Sequence, residues 1–426
     1  METSHENLDE YFSSYNDVTV HELMLKDRPR TLAYKQFFEE NREYIVDKVV
    51  MDVGSGTGIL AMFAAAAGAK KVYAVEASEM AAICKNIVVC NGFEEKIEVI
   101  NKKVEDVELA DDEKVDILVS EWMGFYLLHE SMLDSVIFAR DKFLKPNGIM
   151  VPSHANLLIA PVNMDNYYDD HFEYWSNCYG FDLSPMVPAA MATSFKELLI
   201  TEISEKQLVA ESDFVTAFDL KTVTIDDVRH LSKSCEFLVN EDCTIHGFVT
   251  WFNVVFTCLN SEVQSSNESS SIQLVNSEAA TESDPVVSLP ITLSTGPSAE
   301  ATHWKQTVIF LTSALEVEKD SILPCLIELS QDKDNKRHYN ISIDLTGNED
   351  DIEAETNDHP IPCDCSAPRC KLIKTVMEKF AEEQDEVETE AENTETNAEI
   401  EAARVLDSET ISDVLTTQSN LISGKE

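Results

Sequence analysis

The stretch that decides the fold is VVMDVGSGTGIL, residues 49–60. Its apolar first half contains one acid, Asp52, and leads into Gly54, Gly56 and Gly58, after which an alanine-rich helical pattern begins. Glycines at this spacing let the backbone approach a ligand closely, and the following helix presents free amide groups and the positive end of its dipole. The order of strand, glycine turn and helix therefore predicts a ligand site at the carboxyl end of a parallel strand.

Residues 48–144 alternate between short apolar runs and helical patterns. Strands are predicted in VVMDV, VYAVEA, IEVI and VDILVS, and helices in GILAMFAAAAGA, SEMAAICKNIVVC and ESMLDSVIFARDKFL. This alternation favours a Rossmann-like α/β fold in which helices cover both faces of a parallel sheet. The next segment, LKPNGIMVPS at residues 144–153, contains Pro and Gly and is interpreted as a stop that closes this region.

The regions on either side of this core have different patterns. Residues before Lys48 indicate short helices, interrupted at Pro29. Beyond Ser153, β-rich runs such as ANLLIAPV, HGFVTWFNVVFTCL and HYNISIDL predict an antiparallel sheet or a small barrel. Within this half, residues 164–190 are rich in aromatic side chains and poor in strand signals, which suits a segment used for self-association.

Two further segments are too polar to bury a core. Residues of about 261–300 are rich in Ser, Thr, Asn and acids, so we expect a long flexible loop there. Residues 347–426 form a strongly acidic tail that we expect to be disordered. Within that tail, Cys363, Cys365 and Cys370 lack the spacing of an ordinary zinc module, and no metal site is predicted.

The overall composition limits the class of function. The 426 residues carry a formal net charge of −47, which speaks against binding to nucleic acid phosphates and favours a basic partner. Ten cysteines are scattered, the first residues contain no secretory signal pattern, and no run of about 18 apolar residues could span a membrane. We therefore expect a protein of the reducing cytosol or nucleus.

The glycine turn indicates a nucleoside cofactor without phosphates. A dinucleotide fingerprint would place its third glycine where this chain has Ile59, and the turn lacks the Lys of a P-loop. Glu76 follows about 20 residues later, where an acid meets ribose hydroxyls, although a solvated acid at a strand end is the alternative. Glu105 is as compatible with a solvated acid as with an adenine contact. S-adenosylmethionine fits these features, and Arg30 is a candidate for its carboxylate.

A second constellation lies in SEWMGFYLLHESML, residues 120–133, where Glu121 and Glu130 stand among apolar residues. A helix would place two residues nine apart on opposite faces, and a strand would hold them roughly 30 Å apart. Only a loop that doubles back brings them together, and Gly124 most readily supplies the turn. Two solvated loop acids are the plain alternative. Acids in apolar surroundings need a cation, and a planar guanidinium binds such a pair well.

These motifs occur in the order found in one known family. With YFSSY, MLKDRPRT, MDVGSGTGIL, VEAS, SEWMGFYLLHESM and THWKQT, the chain resembles the protein arginine methyltransferases of type I, which form asymmetric dimethylarginine. The resemblance implies a class I methyltransferase domain at 31–152 and a β-barrel substrate domain at 153–346. It also implies an N-terminal helical segment at 1–30 that closes the cofactor site, and a helical dimerisation arm at about 164–190 in a homodimer.

The resemblance also implies individual roles. The residues expected to hold S-adenosylmethionine are His21, Met24, Arg30, Asp52, Gly54, Gly56, Glu76, Glu105 and Met132. Those expected to meet the substrate, which would be arginine in histones or in Arg/Gly-rich proteins, are Tyr11, Tyr15, Glu121, Glu130 and Trp304. Catalysis would depend on Glu121 and Glu130 and on His303, which is expected to pair with Asp27. The proton would leave through Glu130 or through the Asp27 and His303 pair.

Two other functions remain open at this level. The first is a methyltransferase acting on nucleic acid or on a small molecule, which the acidic charge and the lack of an Asn-Pro-Pro-Tyr or Asp-Pro-Pro-Tyr motif disfavour. The second is a catalytically weak relative that serves as an acidic scaffold for basic proteins. The complete acid pair and glycine turn disfavour the scaffold.

Overall fold

The computed structural model describes residues 15–110, 113–194, 198–259 and 290–345. These residues all belong to one unit of the chain, Met1–Gly347. Tyr11, the cysteine cluster, the predicted acidic tail from residue 347 and most of the predicted loop at 261–300 lie outside the described residues.

The described chain begins with helices α1 (Val18–Lys26), α2 (Arg28–Glu40) and α3 (Arg42–Ile45). Asp27 ends α1 and caps α2, because its side chain accepts a hydrogen bond from Arg30 N. Pro29 lies in the first turn of α2, where its missing N–H costs nothing. The predicted interruption is confirmed, but the predicted domain boundary after residue 30 falls inside α2 because a proline in this position begins a helix.

The first sheet has five parallel strands in the order β3-β2-β1-β4-β5. The strands are β1 (Val49–Val53), β2 (Lys71–Val75), β3 (Ile97–Ile100), β4 (Val115–Ser120) and β5 (Leu144–Val151). Helices α4 (Ile59–Ala66), α5 (Met80–Cys90) and α6 (Met132–Phe143) connect them. The strand order reverses between β1 and β4, and ligands of such sheets bind outside the carboxyl ends of the strands at this point.

The fifth strand corrects the sequence analysis. Leu144–Val151 was interpreted as a stop, yet it pairs in parallel with β4. It is an edge strand, and Pro is tolerated at an edge because one side of the strand needs no donor. Its register with β4 shifts between Val115 and Ile117, so the pairing accommodates the irregular sequence.

The second half of the described chain is antiparallel and barrel-like. One sheet has the order β7-β12-β10-β6-β8 with β11 beside β10, and a smaller sheet has the order β14-β13-β9. The bounds are β6 (His154–Val162), β7 (Leu199–Thr201), β8 (Asp213–Asp219), β9 (His230–Leu238), β10 (Cys243–Phe256), β11 (Ile291–Ser294), β12 (Gln306–Val317), β13 (Ile322–Gln331) and β14 (Tyr339–Asp344). A short helix, Ile225–Arg229, precedes β9.

Strand β11 also corrects a prediction. The loop was expected to extend to about residue 300, but Ile291–Ser294 pairs antiparallel with the last four residues of β10, from Phe256 back to Asn253. The four residues ITLS alternate in polarity, and Leu293 is buried. A run of four residues within a polar segment is too short to predict a strand from sequence. Its strand conformation depends on the pairing with the long, buried β10.

The aromatic segment after β6 is helical, as the fold class predicts. It contains α7 (Asp165–His171), 3-10 helices at Glu173–Asn177 and Ser184–Met186, and α8 (Val187–Ser194). Tyr179 and Phe181 at its tip are 96% and 72% exposed. The arm therefore presents aromatic side chains away from its own domain. Across the described ranges, no helix is long and apolar enough to cross a membrane.

Candidate active site

A cavity of about 270 Å³ lies at the carboxyl ends of β1, β2 and β4, where the strand order reverses. It is lined from the parallel-sheet domain, from helices α1 and α2, and from the barrel-like domain through His303, Trp304 and Arg337. The predicted site residues that line it are Tyr15, His21, Met24, Arg30, Gly54, Gly56, Glu76, Glu105, Glu121, Glu130, Met132, His303 and Trp304. Residues from across the chain are thus brought together.

The glycine turn needs glycine for conformation and for space. Gly54 and Gly56 have φ angles of +75° and +53°, in the region where other residues are strained. A Cβ on Gly54 would lie 2.3 Å from Met132 Cε, and one on Gly56 would lie 3.2 Å from the His21 ring. The amides of Gly54 and Ser55 both donate to Val75 O, which ties the turn to β2.

The carboxylate of Glu76 is hydrogen-bonded to the backbone of the glycine turn. Its Oε2 accepts a hydrogen bond of 2.8 Å from Gly56 N, and its Oε1 accepts one of 2.8 Å from Ser78 N. A carboxylate oxygen has two lone pairs, so each oxygen retains capacity for a ligand hydroxyl. Glu105 lines the same cavity, and its Oε1 accepts a hydrogen bond of 2.6 Å from Ser135 Oγ.

Asp52 corrects the expected cofactor set. It does not line the cavity but is fully buried, and its Oδ2 accepts a hydrogen bond of 3.1 Å from Ala61 N in the first turn of α4. Burial raises the pKa of its carboxyl to about 7. Asp52 therefore shapes the strand-to-helix connection from beneath. Its neighbour Val53 lines the cavity, whereas the Asp52 carboxylate is bonded to the helix that follows the turn.

The first acid of the predicted pair is held by an internal arginine. Arg30 Nε donates to Glu121 Oε2 at 2.9 Å and Arg30 Nη2 lies 2.8 Å from the same oxygen. The two side chains are 7% and 8% exposed. Arg30 was predicted to bind the carboxylate of a cofactor, whereas here its guanidinium pairs mainly with Glu121. Both contacts end on Oε2, so Oε1 has no partner among the described residues.

The second acid is held from the N-terminal side. Tyr15 donates from its hydroxyl to Glu130 Oε2 at 2.6 Å. Glu130 and the following Ser131 have φ angles of +73° and +52°, although neither is glycine. The chain therefore turns sharply where Glu130 enters the cavity.

The loop between the two acids doubles back as expected, but the turn is not made by Gly124. Tyr126 and Leu127 adopt left-handed backbone conformations, and Gly124 N donates to Leu127 O at 3.0 Å. Gly124 itself does not have a positive φ. A Cβ at Gly124 would lie 2.2 Å from His129 O, so glycine is required for close approach rather than for the turn.

His303 and Trp304 join the two domains at the cavity. His303 Nδ1 donates to Asp27 Oδ2 at 2.6 Å, and His303 N donates to the same oxygen at 2.9 Å. Burial by itself raises the pKa of Asp27, but the hydrogen bonds from His303 and Arg30 outweigh burial and lower it. Trp304 Nε1 donates to Met123 O at 2.8 Å. Asp27 does not line the cavity, and its bond to His303 is its link to it.

Comparisons with known proteins follow this geometry. Residues 153–272 and 282–350 match the profile of the arginine methyltransferase oligomerization subdomain, and residues 36–153 match that of ribosomal protein L11 methyltransferase. The chain is 41% identical over 347 residues to the probable protein arginine N-methyltransferase 6 of Arabidopsis thaliana, covering 79% of this chain and 78% of that protein. The chain belongs to the protein arginine methyltransferase family.

Other members of the family agree. Identity is 40% over 338 residues with protein arginine N-methyltransferase 6 of Danio rerio, covering 78% of this chain and 88% of that protein. Among solved structures, the Trypanosoma brucei arginine methyltransferase 1 enzyme-prozyme heterotetrameric complex with S-adenosylhomocysteine has a TM-score of 0.66 at 33% identity, covering 78% and 95%. A structure of arginine methyltransferase 6 with S-adenosylhomocysteine has a TM-score of 0.61 at 29% identity, covering 77% and 100%. The predicted family and fold class are confirmed.

Trp122 and Arg337 are among the residues of this cavity that sequence reasoning did not predict. Trp122 lines it and is 3% exposed, with no hydrogen-bond partner for Nε1 among the described residues. Arg337 reaches it from the turn between β13 and β14. A short basic run, KRH at residues 336–338, stands out in so acidic a chain and was the available signal for Arg337.

Proposed function

We propose that this protein transfers methyl groups from S-adenosylmethionine to the guanidinium nitrogens of arginine in basic proteins, forming mono- and asymmetric dimethylarginine. The observation that carries the proposal is the meeting of Glu121 and Glu130 in one cavity beside a glycine turn. Two acids at one site suit a cation with several N–H donors, and arginine presents five. Family membership and the acidic charge of −47 support the same substrate class.

The residues at the glycine turn fit S-adenosylmethionine. A Cβ at Gly54 would fill the cradle between the turn and Met132, and the Glu76 oxygens retain capacity for two hydroxyls. Gly54, Gly56, Glu76, His21, Met24 and Met132 would hold the cofactor, with Glu105 beside them. When bound, it supplies an electrophilic methyl group on a positively charged sulfonium.

The acids would prepare the substrate. A guanidinium is protonated at neutral pH, with its charge spread over three nitrogens. Glu121 and Glu130 draw that charge toward the nitrogens they bind, which leaves the remaining nitrogen more nucleophilic. Because the Glu121 side chain is only 8% exposed, this polarisation is stronger than in solution. Arg30 positions Glu121, and Tyr15 positions Glu130.

Two groups could take the proton that leaves the substrate. Glu130 and His303 both line the cavity, and His303 Nδ1 is already bonded to Asp27. The bond to Asp27 leaves His303 Nε2 as the ring nitrogen that accepts a proton, and Asp27 stabilises the resulting charge. The lowered pKa of Asp27 keeps this carboxyl ionised at neutral pH.

The arm and the surface charge suggest the partners. The proposed assembly is a homodimer formed through the 164–190 arm, whose tip exposes Tyr179 and Phe181. The second half of the chain matches an oligomerization subdomain, which supports self-association. Basic, arginine-rich proteins of the cytosol or nucleus are the proposed substrates, since they complement a chain of this charge.

Incubation with labelled S-adenosylmethionine and an Arg/Gly-rich peptide tests the function. We expect mass spectrometry of the product to find asymmetric dimethylarginine, and Glu130→Gln to lower the rate by more than about a hundredfold because it removes one charge at the reacting group. Glu22→Gln is the control, since it removes an equal charge from an exposed helix position outside the cavity. Symmetric dimethylarginine would overturn the type I assignment, and peptide binding without transfer by the unaltered protein would favour the acidic scaffold.

A further inference from the structure

The backbone around the second acid adopts an unusual conformation. Glu130 and Ser131 are consecutive residues with positive φ, and neither is Gly, Asn or Asp. Such conformations persist only where the surrounding structure holds them, and they are common at functional sites. The sequence of the loop itself supplies no reason for this shape. Its cause must lie in what contacts the loop.

The contacts come from the turn between β13 and β14, and we call residues 336–338 the KRH turn. Glu130 N donates to Arg337 O at 2.7 Å, and Arg337 Nη1 donates to Glu130 O at 2.7 Å. Ser131 Oγ donates to Lys336 O, and Gln331 Nε2 donates to both Lys336 O and Ser131 Oγ. The backbone of the second acid is therefore bonded on both its donor and its acceptor side.

The residues next to Glu130 and Arg337 are also in contact, through the rings of His129 and His338. His338 stands edge-on to His129, with ring centroids 4.9 Å apart. The Tyr126 hydroxyl forms a hydrogen bond of 2.9 Å with His129 Nδ1. Burial, with a smaller contribution from His338, lowers the pKa of His129 to about 4, so this ring is neutral at pH 7. His338 thus packs against an uncharged ring that directly precedes Glu130.

From these contacts we infer that the KRH turn is the positioning element of the second acid, and that Arg337 is its principal positioning residue. The inference rests on the proposed function. Arg337 holds the Glu130 backbone in the conformation that aims the carboxylate into the cavity, and His338 supports His129 from the side. An acid that swings away still attracts a basic substrate, but it no longer aligns the guanidinium for transfer. Loss of the turn contacts therefore lowers kcat more than it raises KM.

Arg337→Ala tests the inference against Lys336→Ala. Both substitutions remove one positive charge from the same turn, but the Lys336 contact uses its backbone oxygen, which alanine retains. We expect Arg337→Ala to lower kcat by between about tenfold and about a hundredfold, with KM for the peptide changed less. Lys336→Ala should change kcat by less than threefold. Arg337→Lys should recover part of the loss because an ammonium can still donate to Glu130 O.

Two further measurements separate positioning from general damage. The Kd of S-adenosylhomocysteine should stay within about threefold of that of the unaltered protein, since the glycine turn is held by Glu76 and Val75 and not by the KRH turn. His338→Phe should keep most of kcat because it retains a ring against His129, and His338→Ala should lose more.

The outcomes are distinguishable. If the unaltered protein transfers no methyl group, the proposed function fails. If it is active and Arg337→Ala has the kcat of Lys336→Ala, the inference about the turn fails. Should Arg337→Ala not fold, as judged by its Tm, the comparison of Arg337→Lys and His338→Ala with Lys336→Ala decides, and equal kcat in all three overturns the inference.

Discussion

The buried carboxyl of Asp52 makes the stability of the protein depend on pH. It lies beneath the glycine turn and binds the first turn of α4, yet burial raises its pKa to about 7. In the unfolded chain an Asp has a pKa near 3.9. Between these two values the folded protein binds a proton that the unfolded chain does not bind. The free energy of unfolding that this group contributes is therefore present in full below about pH 4 and is lost as pH rises to about 7.

Asp52→Asn should remove this contribution to the pH dependence of stability. Asparagine cannot ionise, and its side-chain oxygen can still accept the hydrogen bond from Ala61 N. We expect the free energy of unfolding of the variant, relative to the unaltered protein, to rise on the order of 2 kcal/mol between pH 5 and pH 8. Urea unfolding at both pH values measures the difference. A difference that does not vary with pH would contradict the raised pKa.

At the scale of elements, helix α1 is weakly anchored compared with the strands behind it. His21 is its only buried residue, and His21 Nε2 donates to Tyr15 O at 2.8 Å. The helix nevertheless lines the cavity through Val20, His21 and Met24. A ligand in the cavity would supply contacts that the helix otherwise lacks, so the stability of α1 should depend on the cofactor.

Hydrogen exchange tests this dependence. We expect the amides of Val18–Lys26 to exchange quickly in the free protein and at least about tenfold more slowly when S-adenosylhomocysteine is present at saturation. Strand β10, which is buried almost throughout and lies in the other domain, is the internal control and should not change. Equal protection of α1 with and without the ligand would show that the helix does not close over the cofactor.

At the scale of the whole molecule, the arm exposes several aromatic side chains that nothing in the described part of the single chain covers. Most monomers do not display a large exposed aromatic cluster without a partner. Tyr174, Tyr179 and Phe181 are 52%, 96% and 72% exposed. Their burial in an assembly would remove this apolar surface from water, which is the main force for association.

Phe181→Glu should therefore disrupt the proposed homodimer. A charge at the tip of the arm would have to be desolvated at the interface, and we expect the Kd for self-association to rise by at least about tenfold. Analytical ultracentrifugation measures it. Ile322→Glu is the control, because Ile322 is 63% exposed on the barrel-like domain and not on the arm. An unaltered dimer in Phe181→Glu would place the interface elsewhere.

Much of this molecule follows from its sequence alone. The parallel core was predictable because strands, glycine turn and helices have local signatures, and β1, β3 and β4 begin and end where their apolar runs do. The cofactor turn was predictable for the same reason, since φ angles and close approach require glycine within a few residues. The convergence of Glu121 and Glu130 followed from the cost of leaving acids unpaired in apolar surroundings.

Other features depended on the tertiary structure. Leu144–Val151 is a strand because β4 offers it an edge, and Asp52 lies outside the cavity lining because its carboxylate binds Ala61 N in α4. Arg337 holds Glu130 across 207 positions of sequence. Periodicity and turn chemistry report on neighbours within a few residues, whereas hydrogen bonds of this kind exist only after two domains have come together. The sequence therefore determined which two acids were predicted to meet at one site, and the packing of the barrel-like domain against the loop decided the backbone conformation of Glu130.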